Sequence, residues 1–352
     1  MFRIKKIYFL ITFVLCCLLI AYLHEIEVDF IWIFWPSVTA ESIQIACYEN
    51  NSINTLQSMQ YENVPKNTSF FFVETSCHDK FLQLNPRQSC AIESVGLLNP
   101  SATVYLLIPS PIKDSSKFSP HTKVLLSYNN IKFRHVDMSK FFISTPLEKW
   151  YEEGKLKSSK WPRSHASDIL RYTALWKYGG TYVDLDIVLL KSLEGILNYS
   201  GQESPKNVAA GLMSFSHGHP LADIAIKELR DRFKGYLWGY NGPLVITRSL
   251  KKFCGVSEVS EMTKERCHGF TVYPPKAIYP IHWKDWKDYF TTDKEEADKI
   301  MTKFNESLAI HLWNKFSYNE PVTIGSLQPY DRLAAKFCPR VYSTLGGVGH
   351  VF

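Results

Sequence analysis

With 352 residues, 45% of them hydrophobic and 21% charged, the chain is too apolar to remain disordered and long enough to bury one large core or two smaller ones. Its formal net charge of +6 is modest. Aromatic residues among basic ones, as in His282-Trp283-Lys284-Asp285-Trp286-Lys287, resemble a nucleic-acid surface, but the N-terminal topology argues against that, and an anionic membrane face or a nucleotide diphosphate would use the same excess.

The N-terminus carries Arg3, Lys5 and Lys6, then 17 uncharged residues from Ile7 to Leu23, then Glu25, Glu27 and Asp29. At about 1.5 Å per residue this run is near the short limit for crossing a bilayer. The basic side should stay cytoplasmic, which predicts a 1–6 tail, a 7–23 signal anchor and a type II topology. A cleaved signal peptide is the competing reading, but Ala21-Tyr22-Leu23 offers no small-residue cleavage site. A short anchor suits the thinner membranes of the early secretory pathway, so a Golgi membrane is the expected location.

Residues 24–68 are polar and lack clear periodicity, and they are expected to form a lumenal stem ahead of a catalytic domain over 69–352. Six cysteines lie beyond the anchor: Cys47, Cys77, Cys90, Cys254, Cys267 and Cys338. An even number in a lumenal domain predicts disulfides; near-neighbour spacing favours Cys77 with Cys90 and Cys254 with Cys267, leaving Cys47 with Cys338. No Cys-x-x-Cys knuckle supports zinc. Sequons at Asn50, Asn67, Asn198 and Asn305 fit the same compartment.

The folded part opens with Ser69-Phe70-Phe71-Phe72-Val73-Glu74-Thr75, an aromatic run typical of a buried strand. A helix over 91–98 and strands over 103–108 and 131–136 follow. Ser164 to Tyr178 reads as an amphipathic helix stopped by Gly179-Gly180, with Asp168 and Arg171 three apart on one side. The next strand ends in Thr181-Tyr182-Val183-Asp184-Leu185-Asp186, after which 208–215 reads as a strand and 220–233 as a helix. This alternation predicts an α/β fold whose sheet contains parallel strands, with ligands beyond their carboxyl ends. Glu74 and Thr75 then fall near a base or ribose, and Asp184 and Asp186 near a diphosphate.

Two carboxylates one residue apart at a strand end can hold a divalent cation, which completes its shell with phosphate oxygens. Alone, such a pair is common on solvated turns. Three blocks in order raise its meaning: Ser167-Asp168-Ile169-Leu170-Arg171 with the double glycine and Asp-x-Asp; Gly239-Tyr240-Asn241-Gly242-Pro243; and Pro274-Pro275 through Tyr279 and Trp283 to His311-Leu312-Trp313-Asn314-Lys315. Together they resemble the DXD-containing α1,4-glycosyltransferases of glycosyltransferase family 32, from about Phe70 to about Cys338.

That resemblance implies a GT-A-like nucleotide-diphospho-sugar transferase fold, with a mixed, mainly parallel sheet behind the transmembrane helix. It implies retaining α1,4 transfer of galactose or N-acetylgalactosamine from UDP-galactose or UDP-N-acetylgalactosamine to a glycolipid acceptor such as lactosylceramide, with Mn²⁺. An α1,4-N-acetylglucosaminyltransferase acting on glycoprotein glycans stands as the alternative. Asp184, Asp186 and His311 are the expected metal ligands. Tyr182, Asp168 and Arg171 are placed at the donor, and Trp313 and Asn314 in a flap over the diphosphate, with Lys315 lending it charge. Asn241 is expected beneath the anomeric carbon, a position where related galactosyltransferases tend to carry glutamine. Trp238, Trp283, Trp286, Tyr279 and Tyr289 are candidates for stacking on acceptor sugars. A haloacid-dehalogenase-like phosphohydrolase and a membrane-tethered carbohydrate-binding protein are the rival readings from other classes.

Overall fold

Three adjacent phenylalanines dictate what the first strand must do, because a pleated backbone sends neighbours to opposite faces and all three need burial. In the computed structural model, which describes residues 45–49, 54–78 and 81–351, every residue of β1 (Ser69–Val73) is buried. Phe70 and Phe72 enter one hydrophobic core, and Phe71 and Val73 enter a second on the opposite face. The next strand, β2 (Thr103–Ile108), repeats the division, with Val104, Leu106 and Ile108 on one side and Tyr105 and Leu107 on the other. A sheet covered on both faces reads as a continuous apolar run, and these two do.

Seven strands make the main sheet. In addition to β1 and β2 they are β3 (Ile131–His135), β4 (Gly180–Val183), β6 (Tyr199–Gln202), β7 (Val208–Phe215) and β8 (Thr271–Tyr273), in the order β3-β2-β1-β4-β7-β6-β8. β1 pairs in parallel with β2 and β4, β2 with β3, and β6 with β8; β7 runs antiparallel between β4 and β6. The sheet is therefore mixed and mainly parallel. β5 (Ile187–Leu189) and β9 (Ala309–His311) form a separate antiparallel ribbon. These last two strands, like β6 and β8, are too short to show an alternation in the sequence.

Helices Pro162–Tyr178, Pro220–Arg232 and Pro243–Cys254 cover one face, and helix Pro86–Leu98 covers the other with Pro329–Phe337 and Pro339–Ser343 packed on it. The 86–98 helix begins five residues earlier than the expected Ala91. Asn85 and Gln88 form a reciprocal capping box and Pro86 supplies the first turn, a start signal legible in Asn-Pro-Arg-Gln. The 162–178 helix likewise starts at Pro162, ahead of the expected Ser164, and ends where Gly179 adopts φ 66°. At Gly180, φ 93°, an added Cβ would lie 2.2 Å from the Ser69 carbonyl, so β4 approaches β1 only because no side chain intervenes.

The expected boundary between stem and body lies too late in the chain. Thr55 donates from its N–H to the Ile112 carbonyl, His135 to Gln57, and Glu62 is paired with Lys132 and Arg134. Met59 and Val64 are buried in the second core. The folded body thus includes residues 54–68. The anchor at 7–23 and the sequon at Asn50 lie outside the described residues, and no described helix is long and apolar enough to cross a membrane.

The cysteines pair as Cys47–Cys77, Cys90–Cys338 and Cys254–Cys267. The last agrees with the spacing and the other two correct it. Cys90 lies on the buried face of the 86–98 helix, which the C-terminal helices pack against, whereas Cys77 follows β1 at the rim where residues 46–49 dock. Closeness along the chain placed the two on one bridge; the helix direction separates them.

Candidate active site

Asp184, Leu185 and Asp186 join β4 to β5, at the carboxyl end of the parallel strands. Asp184 donates from its N–H to Gly211 on β7, and Ile187 donates back to the Asp184 carbonyl, so the turn is fixed at both ends. β9 then brings in the third group: Ile187 pairs with His311 across the ribbon, Leu312 N–H donates to the Asp186 carbonyl, and His311 Nε2 lies 3.0 Å from Asp186 Oδ1. One ligand atom from each of Asp184, Asp186 and His311 falls within 4.8 Å of the others. Two carboxylates and an imidazole in a half-buried cluster suit a divalent cation, and His311 Nδ1 is buried without a hydrogen-bond partner. Burial alone would raise the Asp186 carboxyl, but His311 and the Asn314 backbone N–H (2.9 Å) outweigh it and hold it below the ordinary value. Burial likewise opposes the charge on His311, and Asp186 overrides it and raises the imidazole.

The second carboxylate is oriented from behind. Asp184 Oδ1 accepts from the Tyr182 hydroxyl at 2.6 Å and lies 3.1 Å from Arg171. Arg171 is itself buried, donating to the Ala210 carbonyl and the Ser167 hydroxyl, with its guanidinium 4.4 Å over the Tyr182 ring. Arg171 and Tyr182 thus aim Asp184. Asp168, 3.6 Å from Arg171, is buried; burial pushes its carboxyl up to about 7 against the pull of Arg171. Gly242 makes its room, since an added Cβ there would lie 2.3 Å from Asp168 Oδ1.

These residues line a cleft of about 440 Å³ that reaches from Glu74 and Thr75 past Asp168 and Arg171 to Asp184 and Asp186. Glu74 is largely occupied: its carboxylate accepts from the Ser76 N–H at 2.7 Å and the Gln88 amide at 2.9 Å. Thr75 accepts from the Tyr48 hydroxyl through its carbonyl. A smaller cavity of about 170 Å³ continues beyond the acidic pair and adds Glu203, His311, Trp313 and Lys315.

A family model described as "Glycosyltransferase sugar-binding region containing DXD motif" matches residues 85–203, and one described as "Alpha 1,4-glycosyltransferase conserved region" matches 214–345. Lactosylceramide 4-alpha-galactosyltransferase of Gorilla gorilla gorilla is 30% identical over 286 residues, 80% of this chain and 84% of that one. The protein of the same name from Pongo pygmaeus is 31% identical over 62% of this chain and 98% of its own. The chain belongs to the α1,4-glycosyltransferase family. Human alpha-1,4-N-acetylglucosaminyltransferase is 27% identical over 73% of this glycosyltransferase and 75% of its own length. Among solved structures, the galactosyltransferase LgtC with donor and acceptor sugar analogs overlaps 76% of this chain and 95% of its own at 11% identity, TM-score 0.33. Mouse xyloside xylosyltransferase 1 overlaps 70% and 97% at 12% identity, TM-score 0.37. Membership in a DXD family carries a divalent cation and a nucleotide-sugar donor, and it sets aside the phosphohydrolase alternative.

Three expected roles do not survive the glycosyltransferase's geometry. Asn241 is 1% exposed, and its amide accepts from Lys234 N–H (2.9 Å), donates to the Lys234 carbonyl (3.0 Å) and contacts His165 Nε2 (2.9 Å). The turn directs this side chain inward, and Gly239 and Pro243 line the cleft in its place, so Asn241 holds a loop and lines neither cavity. Trp313 does not form a flap: it is buried at φ 56°, donates to the Ile281 carbonyl (3.0 Å), and packs 3.9 Å from the His311 ring. It backs the histidine. Of the aromatic candidates, Tyr279 and Tyr289 are core and Trp283 stacks on Phe316, whereas Trp238 lines both cavities. Lys315 Nζ sits 3.1 Å over the Trp238 ring centroid, at the edge of the smaller cavity, and burial lowers it to about 8. Glu203 and Gly211 were not anticipated, because only the β6–β7 pairing brings them to the acidic pair.

Proposed function

We propose that this glycosyltransferase moves galactose or N-acetylgalactosamine from its UDP derivative to the terminal sugar of a glycosphingolipid such as lactosylceramide, in α1,4 linkage with retention, on a GT-A-type scaffold. The observation that carries the reading is the convergence of Asp184, Asp186 and His311 at the end of β4, in a cleft that extends to the end of β1. The names of the lactosylceramide-acting relatives support the acceptor class.

Asp184, Asp186 and His311 would hold the cation, Mn²⁺ in this reading, which when bound offsets the negative charge left on the departing diphosphate. Arg171 and Tyr182 keep Asp184 in place. Asp168 lines the cleft where the donor sugar would lie, and Glu74 and Thr75 bound the nucleoside end. Lys315, at the edge of the smaller cavity, adds positive charge for the leaving group, and Asn314 fixes Asp186 through its backbone. With Asn241 committed elsewhere, retention is read as a front-side displacement in which the departing phosphate oxygen takes the proton of the acceptor hydroxyl. The chain then works as a type II protein of the Golgi membrane, anchored by residues 7–23, which agrees with three disulfides in the folded body.

A panel of UDP-galactose, UDP-N-acetylgalactosamine and UDP-N-acetylglucosamine against lactosylceramide and other glycan acceptors, with Mn²⁺, tests the reading. Transfer of galactose or N-acetylgalactosamine to glycolipid is expected. Transfer of N-acetylglucosamine alone would favour the second relative's chemistry instead.

A further inference from the structure

β1 ends at Val73, and Glu74 N–H still donates to the Leu107 carbonyl of β2 at 3.0 Å. The chain then leaves the sheet and passes along the cleft as Glu74, Thr75 and Ser76, all of which line it. A segment outside regular structure keeps one conformation only if other groups hold its backbone. Two ties are local: the Glu74 carboxylate accepts from Ser76 N–H (2.7 Å), and His78 N–H donates to the Ser110 hydroxyl (3.1 Å). Two more come from residues 45–49, which belong to the expected stem.

Tyr48, in the single turn Ala46–Glu49, donates its hydroxyl to the Thr75 carbonyl, and Cys47 beside it is bridged to Cys77. The hydrogen bond and the disulfide thus hold this wall on both sides of Ser76. Tyr48 is itself seated: its ring packs against the second core, Ile45 is buried in that core, and Tyr48 N–H donates to the Ile45 carbonyl at 3.0 Å. Glu49 adds an ion pair with Lys157 on the outside. Burial first, and then the Glu74 carboxylate, push the phenol well above its ordinary value, so it remains a donor at neutral pH.

Tyr48 and Cys47 do not line the cleft, so what they do for a ligand passes through Thr75 and Ser76. Those two residues carry hydroxyls and main-chain groups that donate and accept, as a ribose and the edge of a base require. We propose that Tyr48 is a positioning residue for the nucleoside of the donor: with the Cys47–Cys77 bridge it sets the Thr75–Ser76 wall before the nucleotide arrives, so that residues 45–49 complete the donor site as a strap. The assignment rests on the sugar-nucleotide reading above. A wall set in advance lowers the ordering cost of binding, so its loss falls on donor affinity and spares the chemical step.

The test compares the full chain with its Tyr48→Phe variant, which keeps the ring and its packing and removes the hydrogen bond. Titration with UDP and with UDP-galactose in the presence of Mn²⁺ is expected to show the same weakening for both, roughly 3- to 10-fold, the worth of one neutral hydrogen bond. KM for the donor should rise to match, with kcat near wild type and affinity for Mn²⁺ alone unchanged. Paired Cys47→Ser and Cys77→Ser replacement is expected to weaken the same two ligands. Donor affinity at the wild-type value in Tyr48→Phe overturns the assignment, whether or not Tm falls, because a tyrosine that only supports the fold would move Tm alone. Weaker binding of UDP-galactose with UDP unchanged also overturns it, since the effect would then lie at the hexose. Failure of the wild-type chain to bind UDP with Mn²⁺ overturns the sugar-nucleotide reading itself, whereas wild-type binding beside an indifferent Tyr48→Phe overturns the strap alone.

Discussion

His311 stands against Asp186 because of strand register: Ile187 pairs with His311 across the β5–β9 ribbon, which sets the imidazole 3.0 Å from the preceding carboxylate. A slip of one residue would turn the histidine to the other face of the ribbon. The cluster is thus a product of two three-residue strands. Asp186→Ala and His311→Ala should each lower transfer by roughly 100-fold or more by removing charge stabilisation of the leaving diphosphate, with far-ultraviolet circular dichroism unchanged. Wild-type turnover by the Asp186 variant would remove that carboxylate from the chemistry.

Metal uptake should depend on pH with a defined sign. The folded value of His311 is raised, so in the ion-free protein its pairing with Asp186 is fully present below the ordinary imidazole pKa and is lost as pH rises through the raised value. Asp186 is lowered, so its side of the pairing is present above the ordinary carboxyl value and is lost only as pH falls through the lowered one. A cation must displace the His311 proton, so apparent Mn²⁺ affinity should climb by up to about tenfold per pH unit until His311 is neutral. Calorimetry across that window reads both the slope and the released proton. A flat profile would separate His311 from the ion.

Gly242→Ala should damage the site more than the fold. The new Cβ would fall 2.3 Å from Asp168 Oδ1, and Asp168 is packed beside Arg171, which aims Asp184. Overpacking of this kind costs about 1–3 kcal/mol when neighbours must shift. The expected result is a modest drop in Tm with a larger loss of donor affinity, read by melting and by UDP-sugar titration on the same preparation.

Much of this arrangement was legible in the sequence for identifiable reasons. Asp184 and Asp186 follow an apolar strand after a double glycine, and the glycines are needed where they stand, because a Cβ at Gly180 would strike the Ser69 carbonyl. β2 and β7 lie at the expected bounds, since long buried runs leave little choice. His311 entered through the block His311-Leu312-Trp313-Asn314-Lys315, on which the family resemblance rests. Glu203 was not anticipated, because its place depends on a β6–β7 pairing with an irregular register at Ser200 and Gly201. Asn241 was misplaced because a turn's residue types do not say which of its side chains points inward. Of the three cysteine pairs only Cys254–Cys267 agreed, and the other two failed for a related reason: proximity in sequence says nothing of which helix face a thiol occupies.

The Cys90–Cys338 bridge should matter for stability and hardly at all for chemistry. It ties the 86–98 helix to the C-terminal helices across a sequence separation of 248 residues, and both cysteines are buried. Paired replacement by alanine should cost about 2–5 kcal/mol, visible as a lower denaturation midpoint, with kcat near wild type for the fraction that folds.

Asn241→Ala distinguishes a loop-holding residue from a catalytic one. The amide spans Lys234 and His165, and His165 in turn bonds Ser159 (2.6 Å) and the carbonyls of Leu237 and Trp238. This network ties the 162–178 helix to the loop that carries Trp238 into both cavities. Burial first lowers His165 to about 4, so the ring is neutral and serves as a fixed hydrogen-bonding block. Truncation leaves buried polar groups without partners and should cost about 1–3 kcal/mol. Because Trp238 would lose its support, KM should rise while kcat at saturation falls little. A large fall in kcat with stability and KM unchanged would return Asn241 to the reacting centre.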